Sequence, residues 1–258
     1  MENLVLYEVK DRVGYLTLNR PEKKNALSFE MVSAIKSNIE FAQKDENCKV
    51  IVIKSNGDAF CSGADLASLQ KLQSNTYDEN LADSLHLMEL FKLIYLNQKV
   101  VITMIQGTAF AGGCGLATIA DFCFASRAAK FSYTEVKIGF IPAIVMIFLI
   151  RKIGEANAKR LLLSGEIIQA DDALKLNLIN NVVDDEIIEE YVHDFAIKLC
   201  KQNSGNSMML TKQMIAEVQN MSLDEALMYA ANMNAQARSS ADCKKGINAF
   251  LNKEKLTW

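Results

Sequence analysis

VVITMIQGTAFAGGCGLA, residues 100–117, decides how this chain is read. Residues 100–105 form a short apolar and β-branched run with the composition of a buried strand. Gly107 breaks the run, and small residues, Gly112, Gly113 and Gly115 among them, lead into a helical segment. A turn of this kind leaves main-chain N–H groups unpaired at the helix start, where they attract negative charge. FCSGADL, residues 60–66, has the same character and follows the strand-like run KVIVIK (49–54) and the turn Asn56-Gly57-Asp58. Side by side, two such turns can hold one oxyanion. Taken singly, each fits a tight turn or a close helix crossing equally well.

Working outward, LVLYEVKDRVGYLTLN (4–19) alternates apolar and polar residues on both sides of a Lys-Asp-Arg turn, which predicts a hairpin. Ser28 is placed to cap a helix with Glu30 in its first turn and a core stripe of Met31, Ile35, Ile39 and Ala42. The polar stretch 73–80 is expected as loop, followed by a helix with the stripe Leu87, Leu90, Phe91 and Ile94. FCFA (122–125) predicts a third strand. Strand, turn and helix thus recur over the first two thirds, the mark of an α/β fold, and from about Glu155 the pattern becomes mostly helical.

Net charge is −3, so no global field draws the chain onto nucleic acid or anionic lipid. The six cysteines show neither CxxC pairs nor histidine spacing suited to zinc, and they read as reduced, mostly buried thiols with no metal site implied. The N-terminus lacks the layout of a signal peptide, which makes the cytoplasm the expected location. The most apolar run, 138–150, contains Pro142 and is shorter than the ~20 residues of a membrane span. It is expected as a buried helix with a preceding loop.

Candidates for chemistry are few. No GxGxxG follows the first strand, and no GK[ST] or GxSxG occurs, so nucleotide binding and serine hydrolysis lack support. His86 and His193 fall within amphipathic helices as surface residues, and Cys61 reads as a small packed residue rather than a reactive thiol. Glu135 differs: it sits in KFSYTEVKIGFIP (130–142) among apolar residues, where partial burial raises a carboxyl toward the range useful for proton transfer. A surface pair with Lys137 is the bland alternative.

These segments together resemble the crotonase, or enoyl-CoA hydratase/isomerase, superfamily: LNRP (18–21) with NAL (25–27), FCSGADL (60–66), 107–121, 131–142, Ile153-Gly154 and LSGE (163–166). The resemblance implies a spiral of ββα repeats over 1–195 with a helical oligomerisation region over 196–258. It assigns the thioester oxygen to the N–H groups of Ala64 and Gly112, and acid–base work to Glu135. Coenzyme A, as part of the substrate and not a separate cofactor, is assigned to Lys24, Ala26, Asp65 and Leu66, with Phe250 and Lys253 reaching its adenine and phosphate end from a neighbouring subunit. Gly113, Gly115 and Pro142 join this substrate-binding set. Family members form trimers, often paired into hexamers, so a homo-oligomer is expected, with Met208, Met209, Leu210, Met214, Ile215, Met228 and Met233 suited to its surface.

The sequence departs from that pattern in one informative place. Typical hydratases carry two glutamates, whereas here the first position is Gly115 and only Glu135 remains. Thr134 stands where proline is usual, and residues 143–146 replace a glycine-rich stretch with apolar side chains. One glutamate suits Δ3-Δ2 isomerisation chemically. The run from Tyr133 to Val145, with Gly115, instead resembles hydratases assigned to methylglutaconyl-CoA in leucine breakdown. Hydration is the favoured expectation, with isomerisation and a non-catalytic acyl-CoA-binding homologue as alternatives.

Overall fold

The computed structural model describes residues 3–258. β1 (Val5–Lys10) and β2 (Val13–Leu18) pair antiparallel, joined by Asp11 and Arg12 at φ 53° and 66°, the left-handed pair that lets a two-residue turn follow strand twist. α1 (Phe29–Lys44) begins at Ser28, whose hydroxyl accepts from the Met31 N–H at 3.2 Å. Its stripe of Met31, Ile35, Ile39 and Ala42 is completely buried, as the spacing predicts.

Three repeats follow. β3 (Val50–Ser55) leads to β4 (Ala59–Cys61), then to α2 (Leu66–Leu72) and α3 (Tyr77–Tyr95). β5 (Val100–Ile105) leads to β6 (Thr108–Phe110) and α4 (Gly112–Thr118), and β7 (Phe122–Ser126) to β8 (Lys130–Ser132), a 3-10 turn (Glu135–Ile138) and α5 (Ala143–Ser164). The first strand of each repeat joins a six-stranded sheet, ordered β1-β2-β3-β5-β7-β10, in which β2 through β10 (Asn181–Val183) run parallel. The second strand joins a four-stranded sheet, β4-β6-β8-β9, with β9 at Ile168–Gln169. These three-residue strands are too short to show alternation in the sequence.

Alternation along the long strands separates two cores. Ile51, Ile53, Val101 and Ile105 face α1, α3, α4 and α5. Val50, Val52, Val100, Ile102 and Met104 face α7 (Ile188–Gln202) through Ile188, Val192, Ala196 and Cys200. α7 continues through residue 195 as one helix, so the division after 195 falls inside an element packed on the sheet. α6 (Ala170–Lys175) precedes it, and α8 (Gly205–Val218), α9 (Leu223–Ser239) and α10 (Ala241–Leu251) complete the chain. α9 buries no residue in the single chain and leaves Leu223, Leu227 and Met228 exposed.

At the rim where the parallel strands start, lysines close helix C-termini. Lys99 donates to Ala42 O and Asp45 O behind α1, Lys212 to Ile94 O behind α3, Lys152 to Thr118 O and Ala120 O behind α4, and Lys49 to Cys200 O and Asn203 O behind α7. Each ammonium satisfies carbonyls that a helix end leaves unpaired and complements its negative pole. Burial depresses the pKa of all four.

Two sequence expectations are corrected. The stretch 73–80 is loop only to Thr76, where a capping box with Glu79 starts α3 at Tyr77, ten residues before the first residue of its apolar stripe, Leu87. The run 138–150 is not buried as a whole: Ile138, Phe140, Ile141 and Ile147 are exposed, and only Val145 and Leu149 enter the core. Its apolar character serves a surface of the single chain. Among the described residues no helix is long and apolar enough to cross a membrane, no cluster suited to a metal ion occurs, and the six cysteines are free.

Candidate active site

The second sheet delivers its three helix-bound turns to one place. The first turn, residues 62–65, is bound to the segment 20–28: Ser62 N–H donates to Lys24 O, Leu27 N–H to Gly63 O, and Asp65 N–H to Leu27 O. Asn25 anchors this weave. Fully buried, it donates to Asn56 O and Ala59 O, both at 2.9 Å, and accepts from the Arg20 N–H. Asn25→Ala is expected to cost about 2–4 kcal/mol in urea unfolding, because three main-chain groups lose their partner and alanine inherits a left-handed backbone (φ 53°).

The second turn meets the first directly. Gly63 has φ 90°, and a methyl group there would lie 2.9 Å from Ala111 Cβ and 3.7 Å from Gly112 N. Ala111 itself has φ 50° and ψ −129°, a conformation that costs alanine about 1–3 kcal/mol and points α4 at the junction. Its N–H donates to Ser132 O at 2.8 Å, which fastens the third turn. Among the described residues, neither the Ala64 N–H nor the Gly112 N–H donates to a protein acceptor. Two free donors thus stand on adjoining turns, one of them at the positive pole of a buried helix.

Glu135 follows three residues after Ser132, at the start of the 3-10 turn. It is 8% exposed, and its Oε2 has no hydrogen-bond partner. Burial raises its pKa, against a smaller lowering from its own main-chain N–H. Its charge in turn contributes to raising the thiol of Cys114, the third residue of α4, which burial already pushes up. Among the described residues Glu135 makes no ion pair with Lys137, and its side chain is buried, so the surface-pair reading of Glu135 is set aside.

Gly115 lies one helical turn beyond Gly112 on the same side of α4. A methyl group there would approach Val145 Cγ1 to 2.3 Å and the Phe91 ring to 2.9 Å. Apolar side chains from α5 and α3 therefore occupy the space a longer residue at 115 needs. Gly115→Ala is expected to destabilise by about 1–3 kcal/mol, and adding Val145→Ala should recover at least about 1 kcal/mol of that loss in a double-mutant cycle.

The remaining sequence candidates fall into distinct environments. Lys24 is exposed and left-handed at φ 51°, and Ala26 is buried beside it. The Asp65 carboxylate is already engaged: Oδ1 accepts from the Ala67 N–H as the cap of α2, and Oδ2 pairs with Arg20 at 2.9 Å. It braces the turn with Arg20 as its partner; the structural roles of Arg20 and Asn25 were not read from the sequence, whose only signal for them was their place in the motifs at 18–21 and 25–27. Leu66 is exposed, whereas Gly113 packs so that a methyl would sit 2.3 Å from Cys61 O. Gly113 thereby serves the close approach of α4 to β4. Cys61 is buried and its thiol is pushed up to about 12 by desolvation, which makes it inert. Pro142 caps α5, whose helical path breaks at Gly154 (φ 75°, ψ 163°). Phe250, the next-to-last residue of α10, is 83% exposed, and Lys253, beyond the helix, is exposed too.

This arrangement has close parallels. The enoyl-CoA hydratase/isomerase family model matches residues 8–258. A protein of Thermus thermophilus is 36% identical over 244 residues, 95% of this chain and 96% of its own length. A crotonyl-CoA hydratase of Syntrophomonas wolfei is 32% identical and covers 100% of this chain and 98% of its own. The crystal structure of an enoyl-CoA hydratase from Shewanella pealeana superposes with a TM-score of 0.92 at 29% identity, covering 99% of this chain and 96% of that one. With the two sheets, the repeated ββα units and the whole-length matches agreeing, the chain belongs to the crotonase superfamily, as an enzyme of the enoyl-CoA hydratase/isomerase family.

Proposed function

We propose that the chain adds water across the 2,3 double bond of an enoyl-CoA thioester, or removes it in reverse, through an enolate held by the Ala64 and Gly112 N–H groups. The observation that carries this is a buried carboxylate with one oxygen unpartnered, on the turn that the Ala111 N–H fastens to the start of α4, together with two main-chain donors that have no protein acceptor among the described residues. As water attacks C3, Glu135 takes its proton, and the electron pair of the double bond moves onto the thioester oxygen. Two preplaced donors favour that charge by about 3 kcal/mol each. Glu135 then returns the proton to C2, which closes the cycle with one water consumed.

The thioester's coenzyme A arm lies along 20–27, with the Lys24 ammonium as a phosphate partner. Phe250, exposed on the last helix, and Lys253, exposed just beyond it, serve the adenine and phosphate end in a neighbouring copy. The exposed apolar residues of α9 and α10, Leu227, Met228, Ile247 and Leu251, suit burial between copies in a trimer or a dimer of trimers. Free, reduced cysteines fit the cytoplasm. Methylglutaconyl-CoA is the candidate substrate, on the resemblance of residues 133–145.

A second reading has its own observation. Val145 and Phe91 fill the space beside Gly115, so α4 offers no second carboxylate. A single base that removes a proton from C2 of a 3-enoyl thioester and returns it to C4 performs Δ3-Δ2 isomerisation. The test follows thioester absorbance with crotonyl-CoA, methylglutaconyl-CoA and a 3-enoyl-CoA. A fall with either of the first two supports hydration, a rise with the third alone supports isomerisation, and tight binding without change identifies a non-catalytic acyl-CoA-binding protein.

A further inference from the structure

Behind α4, away from the three turns, a cleft of 780 Å³ opens between α8 and the core. Its charged lining is unequal: Arg151, Lys152 and Lys212 against Asp121. Lys212 is spent, since it donates to Asp121 Oδ2 at 2.7 Å and to two carbonyls. The Asp121 carboxylate is spent too, held by Lys212 and by the Val101 N–H at 2.7 Å. Lys152 is different. Its ammonium has three protons and donates two, to Thr118 O at 2.6 Å and Ala120 O at 3.3 Å, which leaves one.

Arg151 holds Gln219 and Asn220 through two of its nitrogens and keeps further donors. The rest of the wall is largely apolar, with Ile119, Phe122, Phe148, Met208 and Ile215 from four different elements. A cleft with two cations at one wall, each keeping a donor to spare, and hydrocarbon on the others fits a ligand that is anionic at one end and apolar along its length. The volume suits a chain of about ten carbons, within the ~300–1,000 Å³ of ordinary ligand sites.

We propose that this cleft binds an amphiphilic carboxylate, a medium-chain carboxylic acid being its simplest form, with the head group on Lys152 and Arg151 and the chain on Phe148 and Met208. The site is separate from the thioester site: the cleft meets the C-terminal end of α4, and Gly112 is at the other end.

Isothermal titration of the full chain with decanoate, below its micellar concentration, tests this. One decanoate per chain is expected, undisturbed by saturating crotonyl-CoA, with decanol at least tenfold weaker. Thr211→Trp places a large ring in the cleft from an exposed position on α8. It should weaken decanoate at least tenfold while crotonyl-CoA turnover stays within twofold of the wild type. Lys152→Met should weaken decanoate similarly with decanol unchanged; should that variant fail to fold, Thr211→Trp and the alcohol comparison still decide. Displacement of decanoate by crotonyl-CoA would assign it to the acyl pocket and overturn the proposal. Unchanged binding in Thr211→Trp, or no binding because a second copy of the chain fills the cleft in solution, would overturn it equally.

Discussion

Glu135→Gln is expected to lower kcat for crotonyl-CoA hydration by about a thousandfold and to leave KM within about twofold, since a positioned acid–base group is worth ~10²–10⁴. Glutamine keeps the shape and cannot take the proton from water. The wild-type pH profile carries the same information. Glu135 must be ionised to act, and burial holds its carboxyl above the ordinary 4.5, so kcat/KM should fall on acidification through a limb displaced upward from that value. The variant should lack this limb in its residual rate. Near-normal hydration by Glu135→Gln would remove the residue from the mechanism.

The same substitution should raise stability at neutral pH. In the unfolded chain the carboxyl titrates near 4.5, and in the folded chain higher. Between the two values the folded state binds more protons, so this group's contribution to stability is complete below 4.5 and is lost as pH rises through the folded-state pKa. Glutamine is neutral throughout and escapes that loss. A lower melting temperature for Glu135→Gln at pH 8 would show that its carboxylate has a partner the geometry does not reveal. On the proposed mechanism, Glu135 holds activity at a cost in stability, as is common at working sites.

Gly112→Pro is the second large effect. Proline at the first residue of a helix lacks only an N–H that the helix does not use, and here that N–H is the proposed donor to the thioester oxygen. Loss of one such donor should reduce kcat by about 10²–10³. Gly112→Ala is the control. Its methyl would meet only Leu27 Cδ1 at 3.5 Å, an ordinary contact, and it keeps the N–H, so its kcat should remain within about fivefold. Equal damage from both replacements, at matched melting temperature, would mean that backbone shape and not donation matters at 112.

Legibility in the sequence followed element length. The hairpin, the stripe of α1 and the strands at 50–55, 100–105 and 122–126 each repeat a pattern over enough residues to declare a period. β4, β6 and β8 have three residues each and repeat nothing, yet they carry the chain to every turn of the site. The carboxylate at 135 was readable because apolar neighbours surround it locally. The opposite held for Asp65, whose commitment to Arg20 depends on a contact 45 residues distant in sequence. Exposure of Ile138, Phe140 and Ile141 was also hidden, because hydrophobicity records a preference for leaving water and not what does the covering.

The lysines behind α1, α3, α4 and α7 divide the molecule into two territories. On one rim stand the Ala64 and Gly112 N–H groups, which have no protein acceptor among the described residues; on the other, helix finishes are sealed by the chain's own cations. Insertions or exchanges around the first rim can change what is bound without touching those seals. A neutral residue at 49, 99, 152 or 212 strikes instead at the scaffold, so damage from such changes should register as shortened protein lifetime before any shift in substrate preference.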